Sequence, residues 1–278
     1  MNAFAPDLSL WRFRSFAELA QVADPWWSLH AYARDIENAI PPGSTVAGYS
    51  VTAERFVEFG VHWPSNGRRP HWRETLLCPV TGLNNRVRAA YHAVVSDVRN
   101  RSADIYLTEQ TGQFYKLMKA RFPGVVGSEY LGLAPGALSP EGIRSEDLTR
   151  LSFDGASFDA VVSLEVLEHV PDYQSALGEC CRVLRPGGKL FLTAPFRFDV
   201  AQTIVRARVV DGKIVHLLPP EYHGDPIGTG GILSYFHFGW SLLDDLRAAG
   251  FADAYAGLYW SIELGHLGFA QTLIVASK

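Results

Sequence analysis

Cysteine is scarce in this sequence, and its scarcity excludes a small fold held together by disulfides. The chain has three cysteines, Cys78, Cys180 and Cys181, of which two are adjacent. An odd number without the spacing of a disulfide framework predicts reduced thiols and a cytoplasmic protein. The Cys78–Thr81 stretch also lacks the second cysteine of a zinc knuckle, since a threonine hydroxyl cannot replace a thiolate ligand. We therefore predict no structural metal.

Long apolar runs and an excess of one charge are also missing. No run of about 18 apolar residues occurs, so no segment is predicted to span a membrane. The net charge is only −4, whereas surfaces that bind nucleic acid or anionic lipid are strongly basic. We expect neither nucleic acid nor a membrane as a partner. Hydrophobic residues make up 47% and charged residues 19% of the chain, which is typical of a globular protein with a substantial core.

Residues 1–100 form an irregular α+β extension in the predicted domain organisation. A serine cap at Ser15 predicts a short helix through Val22, and proline at a first helical position predicts a second helix from Pro25. The following loose alternation of polar and apolar residues, with a turn at 64–67, predicts a hairpin. This extension either packs against the rest of the chain or contributes to the substrate side of a site.

Residues 101–278 alternate between short apolar runs and helical stretches, which predicts βαβ units and a doubly wound, mostly parallel sheet. Two further runs near the C-terminus are joined by a short glycine-containing turn, so they should pair antiparallel. The predicted class is therefore α/β. The apolar runs of the parallel part are Ile105–Leu107, Val125–Val126, Phe158–Ser163 and Lys189–Thr193.

Acidic residues follow three of the predicted strands, at the sheet edge where ligands of doubly wound folds bind. Glu109 follows the first strand, Glu129 the second, and Asp147 a third strand predicted around Gly142–Arg144. A carboxylate such as that of Glu129 suits a ribose diol, because it accepts two hydroxyl hydrogen bonds at once. The alternative is that these acids are solvated loop residues.

Several of these segments, in this order and spacing, resemble class I S-adenosylmethionine-dependent methyltransferases over roughly residues 103–278. The segments that carry the resemblance are Val125–Glu129, Phe158–Ser163, Leu167–Asp172 and Arg182–Leu190, the last reading RVLRPGGKL. The resemblance implies a Rossmann-like seven-stranded sheet whose last strand is antiparallel, with S-adenosylmethionine as the cofactor. It further implies that Glu129 binds the ribose and that Asp147, with the Leu148 backbone, meets the adenine. The remaining predicted cofactor-binding residues are Glu109, Thr111, Gly112, Tyr130 and Ser163.

The loop after the first strand departs from this family, whose first motif is an acidic residue followed by alternating glycines. Here the loop reads Glu109-Gln110-Thr111-Gly112, with a single glycine. Because non-glycine residues resist positive φ and crowd a close ligand, the methionine end of the cofactor should be held differently. Two alternatives follow: a methyltransferase-like binding or regulatory protein without turnover, or an enzyme that uses the same pocket for other chemistry.

A long segment, residues 196–239, separates the strand at Lys189–Thr193 from the last helix, and an insert of this length beside a pocket is usually functional. Its His223 and Asp225 are candidates for a catalytic base and the group that orients it, with metal ligation or a simple turn as alternatives. His169 is the second candidate base. We expect methyl transfer to a small-molecule or carbohydrate-like acceptor, with the insert covering the cofactor pocket.

Overall fold

The structure is a computed structural model, and it describes residues 7–66, 68–224 and 230–278. The helices are α1 (Phe16–Gln21), α2 (Ala23–Ala39), α3 (Trp72–Thr75), α4 (Asn85–Asp97), α5 (Gln113–Arg121), a 3₁₀ helix (Leu167–His169), α6 (Tyr173–Val183) and α7 (Ser241–Ala248). The strands are β1 (Trp11–Phe13), β2 (Val46–Ser50), β3 (Arg55–Val61), β4 (Leu76–Leu77), β5 (Ile105–Leu107), β6 (Val125–Gly127), β7 (Phe158–Leu164), β8 (Leu184–Thr193), β9 (Ile204–Val205), β10 (Ala207–Val210), β11 (Lys213–His216), β12 (Tyr222–His223), β13 (Ile232–Leu233), β14 (Phe236–His237), β15 (Asp253–Ser261) and β16 (His266–Ser277).

The central sheet is mixed and has the strand order β1-β15-β16-β8-β7-β5-β6. Its strands β6, β5, β7 and β8 run parallel. The last strand of the chain, β16, is antiparallel to both of its neighbours, β8 and β15. This arrangement confirms the predicted Rossmann-like α/β class and the antiparallel pairing of the two C-terminal strands.

The parallel strands are covered on both faces, which explains why they read as continuous apolar runs. In β7, Val161 belongs to one hydrophobic cluster, whereas Ala160 and Val162 belong to the cluster on the opposite face. Side chains of a strand alternate between the two faces of its sheet. The core is therefore two apolar layers on either side of one sheet, and the carboxyl ends of its strands are left to build a site.

The third strand predicted around Gly142–Arg144 does not form. Gly142 has a φ of 78°, and its N–H donates to the carbonyl oxygen of Ser139, so the chain turns at this point. Within the described residues a single parallel bridge, from Ser145 to Glu129, joins this segment to the end of β6. The sheet instead includes β1 from the N-terminal region, a contribution that the sequence did not indicate.

The elements of the N-terminal region lie close to their predicted positions. Ser15 caps α1, because its hydroxyl accepts a hydrogen bond of 3.2 Å from the Glu18 N–H. The segment 46–61, predicted as one strand before a turn at 64–67, is instead itself a hairpin of β2 and β3 with its turn at 51–54, and β3 also pairs antiparallel with β4. The tight turn is made possible by Glu54, which takes a φ of 53°. The last residue of the predicted turn lies outside the described residues.

Helix α4 attaches the N-terminal region to the sheet through a buried arginine. Arg88 is only 2% exposed. Its guanidinium donates to the carbonyl oxygens of Leu264 and Gly265, at 2.9 and 2.8 Å, and lies 3.9 Å from the centre of the Phe59 ring. The three partners belong to the turn between β15 and β16 and to strand β3. One side chain therefore joins three parts of the molecule.

Acid should destabilise this region through His92, a buried neighbour of Arg88 on α4. Burial lowers the pKa of His92 from 6.5 to about 4, although the charge of Asp7 opposes this. Because the unfolded chain takes up a proton between these values and the folded chain does not, stability is full above pH 6.5 and is lost as the pH falls towards 4. The expected loss is roughly 3 kcal/mol.

Urea unfolding of the wild type and of His92→Gln at several pH values measures this effect. The variant should show a shallower loss of stability below pH 6.5. Some acid sensitivity should remain, because burial also lowers the pKa of His266. Equal slopes in the two proteins would contradict the assignment.

The described residues of the insert, 196–224 and 230–239, form three pairs of short strands: β9 with β14, β10 with β11, and β12 with β13. It is attached where the 3₁₀ helix meets α6. The N–H of Tyr235 donates to the Glu168 carbonyl oxygen at 2.8 Å, and the ring of Tyr173 packs edge-on against Phe236. The described part of the insert therefore lies against the segment that follows β7.

The cysteines are all buried, and none of them forms a disulfide. Around Cys78 the neighbours are hydroxyl groups: the Ser50 hydroxyl lies 3.3 Å from the Cys78 sulfur, and those of Thr52 and Thr81 are 3.2 Å apart. These contacts form a small buried polar cluster behind the N-terminal hairpin. Among the described helices, none combines the length and the apolar character that crossing a bilayer requires.

Candidate active site

A cavity of about 520 Å³ lies at the carboxyl ends of β5, β6 and β7. Its volume falls within the range typical of small-molecule sites, and its position is the ligand-binding edge of a doubly wound sheet. The lining residues are Tyr106, Thr108, Ser128, Glu129, Tyr130, Glu146, Asp147, Leu148, Thr149, Val166, His169, Val170, Pro171, Asp172, Val209 and Tyr235. The sequence-predicted Glu129, Tyr130, Asp147, Leu148 and His169 are among them.

Glu129 holds the loop that follows β5. Its Oε1 accepts hydrogen bonds from the N–H groups of Gln110 and Thr111, at 2.8 and 3.0 Å, and from the Thr111 hydroxyl at 2.9 Å. No hydrogen bond among the described residues reaches its other oxygen, Oε2. Thr111 therefore acts on Glu129 and does not line the cavity, while Oε2 is left for a ligand.

The single glycine of this loop lies against the side chain of the neighbouring acid. A Cβ atom on Gly112 would lie 2.7 Å from Oε1 of Glu109, so a larger residue here would displace the end of the Glu109 side chain. Glu109 accepts a hydrogen bond from the Tyr115 N–H at the start of α5, and burial raises its pKa. Glu109 and Gly112 do not line the 520 Å³ cavity, so in this conformation they shape the loop rather than a ligand surface.

Of the other predicted cofactor residues, some line the cavity and one lies behind it. Asp147 lines the cavity; its Oδ1 accepts from the Thr149 N–H and hydroxyl, and these bonds lower its pKa although burial opposes them. Leu148 is buried and Tyr130 is 75% exposed at the cavity rim. Ser163 is buried in β7 and accepts a hydrogen bond from Thr108, which itself lines the cavity. Ser163 is thus placed behind the site rather than in it.

These residues fit the adenosyl half of S-adenosylmethionine. The free Glu129 Oε2 suits a ribose hydroxyl, the Asp147 carboxylate suits an exocyclic amine, and Leu148 with Val166 supplies apolar contact for a base. The fit rests on Oε2 of Glu129, which no hydrogen bond among the described residues reaches while Oε1 holds the loop. Thr108 is the polar residue at the end of β5, where the methionine half would lie.

A second cavity, of about 660 Å³, adjoins the first, and His169 lines both. Three parts of the chain build it: the N-terminal region, the segment after β7, and the insert. It is lined mostly by charged and polar side chains: His71, Arg73, Glu74, Arg86, Glu165, His169, Pro195, Phe196, Arg197, Glu221, His223, Gly224 and His237. The structure therefore brings the two predicted histidines into one cavity.

His169 and His223 meet at a buried carboxylate, Glu168. Oε1 of Glu168 lies 3.7 Å from His169 Nε2 and 3.4 Å from His223 Nδ1, and the two rings are 5.0 Å apart in an edge-to-face arrangement. Nδ1 of His169 lies 2.8 Å from the Leu233 carbonyl oxygen. Because a carbonyl only accepts, Nδ1 carries a proton, and Nε2 is the nitrogen left to accept one.

His223 is held between two carboxylates. Glu168 on one side and Glu221 on the other raise the pKa of His223 to about 9, although burial opposes them. Glu221 Oε1 also lies 3.0 Å from Nε2 of His237. At neutral pH and without a ligand His223 is therefore protonated, which favours His169 as the proton acceptor. Asp225, the predicted partner of His223, lies outside the described residues.

Sequence reasoning missed the arginines that the N-terminal region contributes to the second cavity. Arg73 forms an ion pair with Glu165 at 2.6 Å, and Arg86 with Glu74 at 2.9 Å. Together these arginines lower the pKa of Glu165, although its burial opposes them. Arg73 and Glu165 are 92 residues apart, so no local pattern could have indicated this contact. Glu168 was also missed, although it precedes His169 directly in the Leu167–Asp172 motif.

Comparison with known proteins identifies the central part of the chain. The sequence profile of a family described as "Methyltransferase domain" matches residues 97–192. This segment runs from the end of α4 through β8 and contains β5, β6, β7 and the 3₁₀ helix. Residues 97–192 are therefore similar to the methyltransferase domain family. The match confirms the class predicted from the sequence motifs, and with it S-adenosylmethionine as the cofactor of that class.

Curated relatives share part of this segment. A "Ubiquinone biosynthesis O-methyltransferase" of Xanthomonas oryzae pv. oryzae is 46% identical over 67 residues, 24% of this chain and 27% of that protein. A protein with the same description from Coxiella burnetii is 39% identical over 82 residues, 29% of this chain and 33% of that protein. The chain thus covers about a quarter to a third of the relatives' length.

Solved structures with similar arrangements include two methyltransferases, each 19% identical to this chain with a TM-score of 0.40. One is an S-adenosylmethionine-dependent methyltransferase from Mesorhizobium loti, covering 68% of this chain and 98% of that one. The other is the 1,6-didemethyltoxoflavin-N1-methyltransferase of Burkholderia thailandensis with bound S-adenosylhomocysteine, covering 69% of this chain and 78% of that one.

Proposed function

We propose that the chain transfers a methyl group from S-adenosylmethionine to a polar small molecule bound in the 660 Å³ cavity. The observation that carries the proposal is the position of His169, which lines both this cavity and the 520 Å³ cavity. A cofactor in one and an acceptor in the other would meet beside its imidazole. Holding two reactants in this way makes transfer effectively unimolecular.

The cofactor is held by residues of the methyltransferase segment. When bound, S-adenosylmethionine supplies a methyl group on a positively charged sulfur. Glu129 would bind a ribose hydroxyl through Oε2 while its Oε1 keeps the loop at 110–111 in place. Asp147 and Leu148 would hold the adenine. The insert adds Val209 and Tyr235 to the lining of this cavity, which would help to exclude water during transfer.

An oxygen acceptor must lose its proton, and Nε2 of His169 is placed to take it. The acceptor O–H bond breaks towards His169, the oxygen forms a bond to the methyl carbon, and the sulfur leaves as a neutral thioether. The bond from His169 Nδ1 to the Leu233 carbonyl fixes the orientation of the ring. His223 stays the second candidate for this role, although its positive charge is better suited to binding an anionic oxygen.

The acceptor class follows from the lining of the cavity. Three arginines and four histidines with three glutamates surround the space, so a molecule rich in hydroxyl or acidic groups fits better than an apolar one. An oxygen acceptor is supported by the relatives described as O-methyltransferases. A carbohydrate-like acceptor satisfies the same chemistry.

A binding protein without turnover is the second candidate. It is favoured by the loop after β5, whose N–H groups at Gln110 and Thr111 are already taken by Glu129. A protein of this kind would bind S-adenosylhomocysteine and S-adenosylmethionine but would release no product with any acceptor.

Replacing Glu129 tests the cofactor site. Glu129→Ala should weaken the binding of S-adenosylhomocysteine by about 1–3 kcal/mol, or roughly 5–150-fold, because a charged hydrogen bond to the ribose is lost. Glu129→Gln removes the charge but keeps an oxygen that can accept from the loop N–H groups. This variant therefore separates the effect of the lost charge from the effect of a disturbed loop. Isothermal titration calorimetry measures both. Glu141→Gln, at an exposed carboxylate, is the matched control, and equal affinities in all three variants would contradict the site.

A further inference from the structure

The carboxylate of Glu168 is buried, and no well-aligned hydrogen bond reaches it. A buried carboxylate in this state is costly unless it is paired or coordinates a metal ion. Its nearest cation in the ligand-free protein is the His223 ring, with Nδ1 3.4 Å away, and a metal ion bound here would take the place of that proton. Carboxylate oxygens without aligned donors are the first sign of a site that holds something further.

The two imidazoles beside Glu168 are oriented as metal ligands are. His169 donates its Nδ1 proton to the Leu233 carbonyl oxygen at 2.8 Å, which leaves Nε2 facing Glu168. His223 places Nε2 at 3.1 Å from Glu221 Oε1, which leaves Nδ1 facing Glu168. A hydrogen bond from one ring nitrogen to a carbonyl or carboxylate, with the other nitrogen free, is the usual arrangement around a metal-bound histidine.

The distances between the candidate ligand atoms also suit a single metal ion. One ligand atom from each of Glu168, His169 and His223 lies within 4.8 Å of the other two. Ligands about 2.0–2.2 Å from a central ion lie roughly 3.3–3.5 Å from one another in a tetrahedral site. Both separations from Glu168 Oε1, 3.4 and 3.7 Å, are close to this value. Small side-chain movements would bring all three atoms onto one ion.

We infer that Glu168, His169 and His223 form a binding site for a divalent transition-metal ion. Two imidazoles and one carboxylate are the ligand set of many zinc sites and of non-haem iron sites, each with open positions for another ligand. Arg73 and Arg86, the nearby cations, are paired with Glu165 and Glu74. This differs from the sequence-based expectation of no metal, since the third ligand comes from the insert.

The open coordination positions face the 660 Å³ cavity, which His169 and His223 line. An acceptor oxygen bound there would lose its proton more readily, because a metal ion stabilises the oxyanion. In the metal-loaded protein His169 would hold the ion and the acceptor proton would pass to water in the cavity; in the metal-free protein Nε2 of His169 takes the proton, as proposed above. This last step rests on the proposed methyl transfer, whereas the binding of the ion does not.

Metal titrations of the metal-free protein test the site without any assay of activity. Calorimetry with Zn²⁺ should show about one ion per chain, and Co²⁺ should give visible absorption bands of histidine coordination. Glu168→Gln and His223→Ala should each weaken Zn²⁺ binding by more than about 100-fold, and Glu221→Gln by about 10–100-fold. His71→Ala removes another imidazole of the same cavity and should bind normally.

Thermal unfolding with and without Zn²⁺ shows whether a variant that binds no metal is still folded. Without metal, Glu168→Gln should be at least as stable as the wild type, because it removes a buried charge that no well-aligned hydrogen bond reaches; with Zn²⁺ only the wild type should gain stability. Absence of Zn²⁺ and Co²⁺ binding in the wild type, or undiminished binding in both ligand variants, would overturn the inference. A wild type that binds S-adenosylhomocysteine but no metal would overturn the ion site alone and leave the proposed methyl transfer standing.

Discussion

Replacing His169 with alanine should lower the methyl-transfer rate constant by about 10²–10⁴-fold and leave the affinity for S-adenosylhomocysteine nearly unchanged. The reason is geometric: His169 lies between the two cavities, and its Nε2 is the free nitrogen of a ring fixed by the Leu233 carbonyl. Steady-state kinetics with a tritium-labelled methyl donor, together with calorimetry, separates the two effects. His216→Ala, at an exposed histidine of the insert, is the control.

His223→Ala distinguishes the two candidate bases in the same assay. If His223 takes the proton, its loss should lower the rate constant to a similar degree with the cofactor affinity intact. Full activity per folded molecule in His223→Ala would contradict that assignment. Full activity in His169→Ala would contradict the role argued here for His169.

Arg88→Ala should destabilise the protein by about 2–5 kcal/mol, because it opens a cavity and leaves two buried carbonyl oxygens without a donor. Those oxygens belong to Leu264 and Gly265, and the guanidinium also covers the Phe59 ring. Urea unfolding followed by tryptophan fluorescence measures the change. Arg68→Ala, at an exposed arginine, should lie within about 0.5 kcal/mol of the wild type. A loss below about 1 kcal/mol in Arg88→Ala would contradict the view that this residue joins the N-terminal region to the sheet.

The parallel part of the sheet could be predicted because its strands are buried on both faces and therefore read as apolar runs. Ile105–Leu107 and Phe158–Leu164 show this directly. The predicted third strand failed because Gly142 takes a left-handed conformation that turns the chain. Strand β1 was missed because three residues, WRF, carry no recognisable period. The division at about residue 100 stays a prediction, although β1 shows that the extension contributes to the sheet.

The candidate site was predicted only where local motifs locate its residues. Glu129 and Asp147 follow the ends of strands or turns, and the family motifs locate them. The acidic carboxylate of Glu168 sits inside such a motif, but its role depends on His223, 55 residues further along the chain. Contacts of this length, like that between Arg73 and Glu165, arise from tertiary folding and leave no local pattern.

The central claim is that the 520 Å³ cavity binds an adenosyl cofactor, and titration of the wild-type chain with S-adenosylhomocysteine tests it most directly. The account predicts one binding event with a dissociation constant on the order of micromolar, about −8 kcal/mol. Glu129 and Asp147 on the cavity wall supply the polar contacts for it. Absence of a binding signal at about millimolar ligand, about −4 kcal/mol, in protein shown to be folded, would contradict it.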